Sequence, residues 1–279
     1  MRMKKLLQHR ISLYWFALLF GFLSCSTDDD NTTDQACDNS RGTALQIKAT
    51  RQADGSFERC FSYDDQNRWV SLNGNYQFEY DSAGRVVRSG ELDEELVRYS
   101  YQYDSEGRLS RYTEIDLTIT LTYVADSVFL SPELPVSSIP KALILNAEGL
   151  VAKQIRTDDS YYEFNYDANN NLTERVFFSA DGTQGRITEF QFDDKINPFY
   201  GQLESIYLER FISESLQLIR SEDDFPYFQN NIVDIKNISP AGEVEQLFTM
   251  TYQYNELDLP VRLTLETFEP AIVDYVFEY

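Results

Sequence analysis

Phe78-Glu79-Tyr80-Asp81-Ser82-Ala83-Gly84-Arg85-Val86 decides how this chain is read, because it returns as Tyr101-Gln102-Tyr103-Asp104-Ser105-Glu106-Gly107-Arg108-Leu109. Looser copies start at Phe61, Leu143, Phe164, Phe190 and Tyr252. Repetition at this scale sets the architecture before any single residue is weighed. In each copy aromatic and polar residues alternate up to the Asp, the period of a half-buried strand. The Asp side chain bonds backbone amides two residues ahead and the Gly accepts positive φ, so Asp-x-x-Gly folds the ribbon back in a hairpin turn of about three to five residues. The Arg that follows opens the return strand, with its own turn Asp or a neighbouring repeat's Asp as partner. Asp64, Asp81, Asp104 and Asp167 therefore read as turn-builders rather than as paired catalytic carboxylates.

Outward from these copies the alternation continues. Leu96 to Tyr103 carries Val97, Tyr99, Tyr101 and Tyr103 on one face and Arg98, Ser100 and Gln102 on the other. Leu45 to Ala49, Ile119 to Tyr123, Ile187 to Phe192, Leu203 to Ile212, Ile232 to Ile238, Leu247 to Tyr254, Leu263 to Leu265 and Val273 to Tyr279 follow the same rule. The expectation is an all-β fold: an antiparallel meander of about 14 to 16 strands, curled or closed into a soluble barrel. Leu203 to Leu218 is the best helical candidate, but Ile206, Leu208 and Phe211 do not settle the period, and the segment is read as strand. Three stretches interrupt the rhythm: 131–140 with three prolines, Asp194 to Gly201 with an Asn-Pro turn, and the acidic, aromatic run Ser221 to Asn231. Loops carry function more often than strands, so these are the first places to look for a site.

The N-terminus gives an address. Arg2, Lys4, Lys5 and Arg10 precede an apolar run from Ile11 to Leu23, which is short for a membrane span of about 20 residues and suits a secretory signal. The run ends Phe22-Leu23-Ser24-Cys25, which resembles a bacterial lipobox and implies lipidation of Cys25. An ordinary signal peptide with an incidental cysteine is the alternative. The next residues, Ser26 to Asp34, contain no apolar side chain and cannot fold alone. The expected organisation is a lipoprotein signal peptide at 1–24, an acidic disordered tether at 25–40 and a single β-repeat domain at 41–279.

Composition narrows the function classes. The formal charge is −22, and loss of residues 1–24, which hold four positive charges and no acid, takes it to −26. So acidic a protein repels nucleic acid and anionic headgroups and favours cations or neutral partners such as glycans. The only histidine, His9, lies in the signal, so the mature chain has none. That excludes Ser-His-Asp and Cys-His catalysis and the usual histidine zinc sites. No cofactor or metal is expected. With Cys25 assigned to lipid, Cys37 and Cys60 form an even pair in an oxidising compartment, and a disulfide between them would clip the tether to the first strand pair. Two unpaired thiols are the competing reading.

The Tyr-Asp-x-x-Gly-Arg phrase is similar to the YD repeats of RHS-type proteins, whose strands spiral into large shells. Over nearly all of 41–279 the chain more closely resembles a family of uncharacterised Bacteroidetes-type lipoproteins with degenerate YD hairpins, on the strength of the two full copies and the segment Lys195 to Gly201. That resemblance implies a porin-like β fold and an outer-membrane, surface-exposed, lipid-anchored location. The acidic stretch after Cys25 resembles the one that marks surface-exposed lipoproteins in such bacteria, with a plain periplasmic spacer as the other reading. Neither likeness supplies functional residues.

Three functions are compatible with these residues. The first is a non-catalytic lipoprotein that binds a glycan or a surface protein, with Phe199, Tyr200, Phe225, Tyr227 and Phe228 as candidate ligand-binding aromatics. The second is a carboxylate glycosidase using two of Asp158, Asp159, Glu222, Asp223 and Asp224, since this chemistry needs two carboxyl groups and no histidine. The third is an integral outer-membrane β-barrel, whose strands also alternate. Its strands would need about 9–11 residues to span, longer than Tyr76 to Tyr80. Asp167 to Asn171 is a weak match to a calcium loop. Ser82 and Ser127, each after Asp and before an apolar residue, resemble O-glycan acceptors.

Overall fold

A computed structural model describes residues 46–55, 58–74, 76–91, 98–134, 138–212, 227–267 and 272–279. The signal, the tether, Cys25, Cys37, Glu222 to Asp224 and Phe225 lie outside these. The described strands number eighteen. The first nine are β1 (Ala49–Gln52), β2 (Glu58–Tyr63), β3 (Trp69–Leu72), β4 (Tyr76–Tyr80), β5 (Val86–Glu91), β6 (Tyr99–Tyr103), β7 (Leu109–Glu114), β8 (Leu117–Val124) and β9 (Ser127–Pro132). The rest are β10 (Ala142–Leu145), β11 (Val151–Ile155), β12 (Tyr161–Tyr166), β13 (Leu172–Phe178), β14 (Gln184–Ile196), β15 (Asn230–Ile238), β16 (Val244–Tyr254), β17 (Pro260–Thr267) and β18 (Ile272–Glu278). The eighteen described strands exceed the expected 14 to 16, and short strands such as β3, with four residues, hold barely two periods of alternation.

Each strand pairs antiparallel with the next, and β1 pairs with β18 as well as β2, through Ala49↔Glu278 and Ala49↔Cys60. The meander is therefore a closed barrel, and closure leaves no unpaired edge. Because every strand reverses, alternate turns share a rim. The turns starting at Asp64, Asp81, Asp104, Asn146, Asp167 and Asn255 all sit on one rim, which we call the repeat rim.

These turns are one structure repeated. The first residue's amide donates to the carbonyl four residues on, and the fourth residue's amide donates back to the first, at 2.8–3.1 Å in all six. The first side chain, always Asp or Asn, accepts from the third and fifth amides, as Asp81 does from Ala83 at 2.9 Å and Arg85 at 3.0 Å. The fourth position needs positive φ: Gly84 has +81°, and Asn67, Asn170 and Asp258 take 59–63° where Gly is absent.

The Arg at the fifth position links neighbouring hairpins. Arg68, Arg85 and Arg108 each fork back onto their own turn Asp, with Nε to Oδ2 at 2.8–2.9 Å. Each guanidinium also lies over the tyrosine of the next hairpin: Arg68 on Tyr80 at 4.3 Å, Arg85 on Tyr103 at 4.4 Å and Arg108 on Tyr123 at 4.2 Å. That tyrosine's hydroxyl donates to the carbonyl just after the Arg, Tyr80 to Trp69 and Tyr103 to Val86 at 2.6 Å and Tyr123 to Leu109 at 2.8 Å. Tyr166 and Tyr279 keep the hydroxyl bond, to Val151 and Pro260, where the arginine is replaced by Leu. Of the two partners the sequence offered Arg85, the structure selects its own Asp81.

One face of the ribbon builds the core. Phe61, Tyr63, Trp69, Phe78, Val86, Tyr101, Leu109, Tyr112, Ile119, Leu121 and Phe164 are all buried. The alternate positions carry ion pairs around the whole circumference: Arg51–Glu278 at 3.1 Å, Arg88–Glu79 at 3.3 Å, Lys153–Glu163 at 2.9 Å, Lys236–Glu189 at 2.8 Å and Arg262–Asp274 at 2.7 Å. The inner wall is thus mainly apolar, with a minority of buried polar groups, and the outer wall carries the ion pairs.

Candidate binding cavity

A ring of 18 strands has the circumference of barrels that enclose an aqueous channel. Here residues 197–212 of the chain between β14 and β15 enter from the repeat rim and fill part of the space. Asn197 fixes the entry, accepting from Phe199 N at 3.0 Å and donating to Phe228 O at 3.0 Å. Asn230 fixes the exit, exchanging bonds with buried Asn171 at 2.8 and 3.1 Å and donating to Lys195 O at 2.9 Å. Buried amides that satisfy one another in this way hold a backbone to one position.

Between these pins a 3-10 helix, Glu204–Phe211, lies inside the wall. The expectation of a strand over 203–212 is wrong. Leu203, Ile206, Phe211 and Ile212 are buried against the wall. The spacing of Leu203 to Ile206 and of Leu208 to Phe211 is three residues, the period of a 3-10 turn and neither the strand nor the α-helical period.

The plug touches the wall on several sides. Gln202 accepts from Trp69 N at 3.0 Å and Ser205 accepts from Val86 N at 3.0 Å. The Tyr207 hydroxyl accepts from Val151 N at 3.2 Å, and Gln154 donates to Phe211 O at 2.7 Å. Glu209 accepts from the Tyr101 hydroxyl at 2.8 Å. Burial pushes the Glu209 carboxyl up to about 7; the Tyr101 bond opposes that and the nearby Glu114 charge adds to it. Held by a phenol, this carboxyl anchors the plug to the wall.

A cavity of about 380 Å³ is lined by Arg156, Asp158, Ser160, Tyr162, Arg175, Phe177, Arg186 and Thr188. It belongs to the ends of β11 to β14 joined by the turns at 156–160 and 179–183, which lie on the rim opposite the repeat rim. Register explains the grouping: Gln154↔Tyr162, Tyr162↔Phe177 and Arg175↔Thr188 put these side chains on the core face. Arg175 lies over the Tyr162 ring at 5.2 Å and donates to Thr188 Oγ1 at 3.2 Å. Burial lowers its pKa to about 10; Tyr162 opposes this, and Arg210 and Arg186 lower it further. Sequence reasoning passed over these arginines. The signal was present in Arg175 and Phe177, which share a face two residues apart and so place a cation among inward aromatics.

The residues singled out in the sequence are scattered. Phe199 is buried against Phe61 at 5.2 Å and Trp69 at 5.6 Å. Phe228 is buried against Phe192 at 5.3 Å. Tyr227 is half-buried against Tyr207 at 6.0 Å, and Tyr200 is 46% exposed. The described members of this set do not share one surface. Asp158 and Asp159 sit in the β11–β12 turn, where Asp158 accepts from Ser160 and Asp159 pairs with Lys141. Both Asp167 oxygens are engaged by Asn169 and Asn171 within the turn. Ser82 is exposed in a turn and Ser127 opens β9 half-buried. Cys60 is disulfide-bonded.

No family model and no curated protein matches the chain. Among solved structures, a porin-like protein from Bacteroides vulgatus is similar at 14% identity and TM-score 0.43, over 84% of this chain and 98% of that one. A porin-like protein from Bacteroides uniformis is similar at 11% identity and TM-score 0.32, over 83% and 97%. A Photorhabdus luminescens Tc holotoxin pore is similar at 12% identity and TM-score 0.27, over 75% of this chain and 11% of that one. At these identities none of them transfers an activity to this chain.

Proposed function

We propose that this protein is a lipid-anchored outer-membrane barrel, displayed at the cell surface, with a binding or structural role and no catalysis. The observation that supports it best is the polarity of the wall. A barrel that spans a membrane turns an apolar band outward. This one turns cross-strand ion pairs outward at five places around the ring and packs its rings inward. Such a wall belongs in water, so attachment to a membrane falls to the Cys25 lipid that the lipobox-like sequence implies. The plug and the aromatic core argue against a conducting channel. The cavity supplies a place for a small ligand, and a saccharide fits the neutral-partner expectation drawn from charge.

Metabolic labelling with a palmitate analogue tests the anchor. Wild-type protein is expected to take the label and sediment with outer membranes. A Cys25→Ala variant is expected to lose both, and label retained by that variant would defeat the anchor. Purified protein added to planar bilayers is expected to give no conductance steps.

A further inference from the structure

Three wall amides end on plug side chains: Trp69 N on Gln202 and Val86 N on Ser205 at 3.0 Å, and Val151 N on the Tyr207 hydroxyl at 3.2 Å. Each amide stands at the start of a return strand, where two residues oppose one across the ladder: Trp69 with Val70, Val86 with Val87, Val151 with Ala152. A bulge disrupts the ladder locally, and here a plug side chain accepts the hydrogen bond. These three bonds, and that from Gln154 to Phe211 O, are neutral. Glu209 holds the same segment by contacts that depend on a hydrogen. Its carboxyl accepts from Tyr101, and a run of hydroxyls continues from Tyr101 to Ser89 at 3.1 Å and from Ser89 to Tyr76 at 3.3 Å. Tyr112 also bonds Glu209 but donates its one hydroxyl hydrogen to Glu114 at 3.0 Å. With that hydrogen on Glu114, the hydrogen between Tyr112 and Glu209 comes from Glu209. An ionised Glu209 therefore sets two carboxylates against one phenol oxygen.

From β6, Tyr99 and Tyr103 also face this carboxyl, and burial keeps all four tyrosines neutral by raising their pKa values. From β11 and β12, Gln154, and Tyr166 through its 3.0 Å contact with Tyr207, add no charge. Arg98 lies over Tyr99 at 5.4 Å, and on the plug itself Arg210 lies over Phe228 at 4.6 Å and Glu204 is exposed. We propose that the plug is a latch worked by a proton: with Glu209 protonated, residues 203–212 stay docked on the wall, and loss of that proton raises their local opening while the ring stays closed. Burial raises the Glu209 carboxyl to about 7, and an opened segment would return it to the ordinary 4.5. Docking therefore weakens as pH rises from about 4.5 to about 7. Gly201, at φ +84° with open space where a Cβ would stand, is a pivot just ahead of the segment. Opening clears the interior that the plug occupies, so the latch governs access to it. This adds regulation to the barrel and rests on neither the lipid anchor nor a particular ligand.

Hydrogen exchange on the full-length protein in neutral detergent, resolved to single amides and corrected for intrinsic pH dependence, tests it at pH 5 and pH 8. The amides of Trp69, Val86 and Val151 are expected to lose protection about ten-fold or more at pH 8. Low urea is expected to leave their exchange almost unchanged, because local opening exposes little surface, whereas the ladder amides of β16 and β17 follow urea steeply. Glu209→Gln is expected to abolish the loss at pH 8. Glu114→Gln, at a partly exposed position, is expected to shrink it, since one of the two carboxylates is gone. The proposal is overturned if the three amides are equally protected at both pH values, or if Glu209→Gln keeps the full loss. It is also overturned if their exchange tracks urea as steeply as that of β16 and β17. Should Glu209→Gln not fold, Glu114→Gln decides, and an undiminished loss there overturns the proposal. Lipid labelling of Cys25 is read separately, so failure of the anchor and failure of the latch are told apart.

Discussion

Tyr103 shows what the repeated phrase is for. Its ring carries Arg85 and its hydroxyl closes on Val86 O, so two hairpins are joined by one side chain. Burial raises its pKa to about 12, which keeps the phenol a donor across the working pH range. Tyr103→Phe is expected to destabilise by about 1 kcal/mol, the usual worth of one such bond, measured by urea unfolding. A double-mutant cycle over Arg85 and Tyr103 is expected to return a coupling of about 0.5–1 kcal/mol, and additivity would remove the stacking from the account. Gly90 is a different kind of residue. It sits at φ +131°, and a Cβ there would meet Arg98 Cβ at 2.6 Å, so Gly90→Ala is expected to cost about 1–3 kcal/mol. The turn was legible in the sequence because Asp and Gly act locally. The arginine's second contact was not, because Arg85 and Tyr103 lie on different hairpins and meet only once strand register is fixed.

The plug is the element that most changes the picture of an empty barrel. Its carboxyl Glu209 has a folded pKa of about 7 against an ordinary value of 4.5. In that window the folded state holds a proton that the unfolded state has released, so stability falls as pH rises from about 4.5 to about 7. The turn carboxylates Asp64, Asp81 and Asp104 act in the opposite sense. Asp81 is held below its ordinary value by Arg85, so its contribution is present above that value and lost as pH falls through the lowered one. Glu209→Gln is expected to flatten the upper window and to add about 1–3 kcal/mol at pH 8, read from urea midpoints across pH. An unchanged slope would remove Glu209 from the linkage. The segment was misread as strand for a physical reason. A 3-10 turn repeats every three residues, and so short a segment offers only two such spacings, Leu203 to Ile206 and Leu208 to Phe211, too few to overrule the alternation of the flanking strands. Its neck was flagged correctly as an interruption, but the aromatics there, Phe199 and Phe228, turned out to be core.

At the scale of the whole molecule, alternation foretold a meander, curled or closed, and register decides that it is closed. What alternation could not give was which face is inside, since a membrane barrel and this one have the same period. The answer came from pairs such as Lys236–Glu189, whose partners are 47 residues apart and face each other only on a finished wall. Closure also makes the ring cooperative. Deleting 272–279 removes Phe277 from the core and leaves β1 and β17 as open edges. The truncated chain is expected to lose its single sharp melting transition and to self-associate, as light scattering after size-exclusion chromatography would show. The six matching bends on one rim carry a further implication. A duplicated or lost hairpin changes the circumference by two strands and hands the chain back at the same rim. Kin of this protein can therefore grow wider or narrower in even steps while the mouth through which the inner segment threads stays chemically the same.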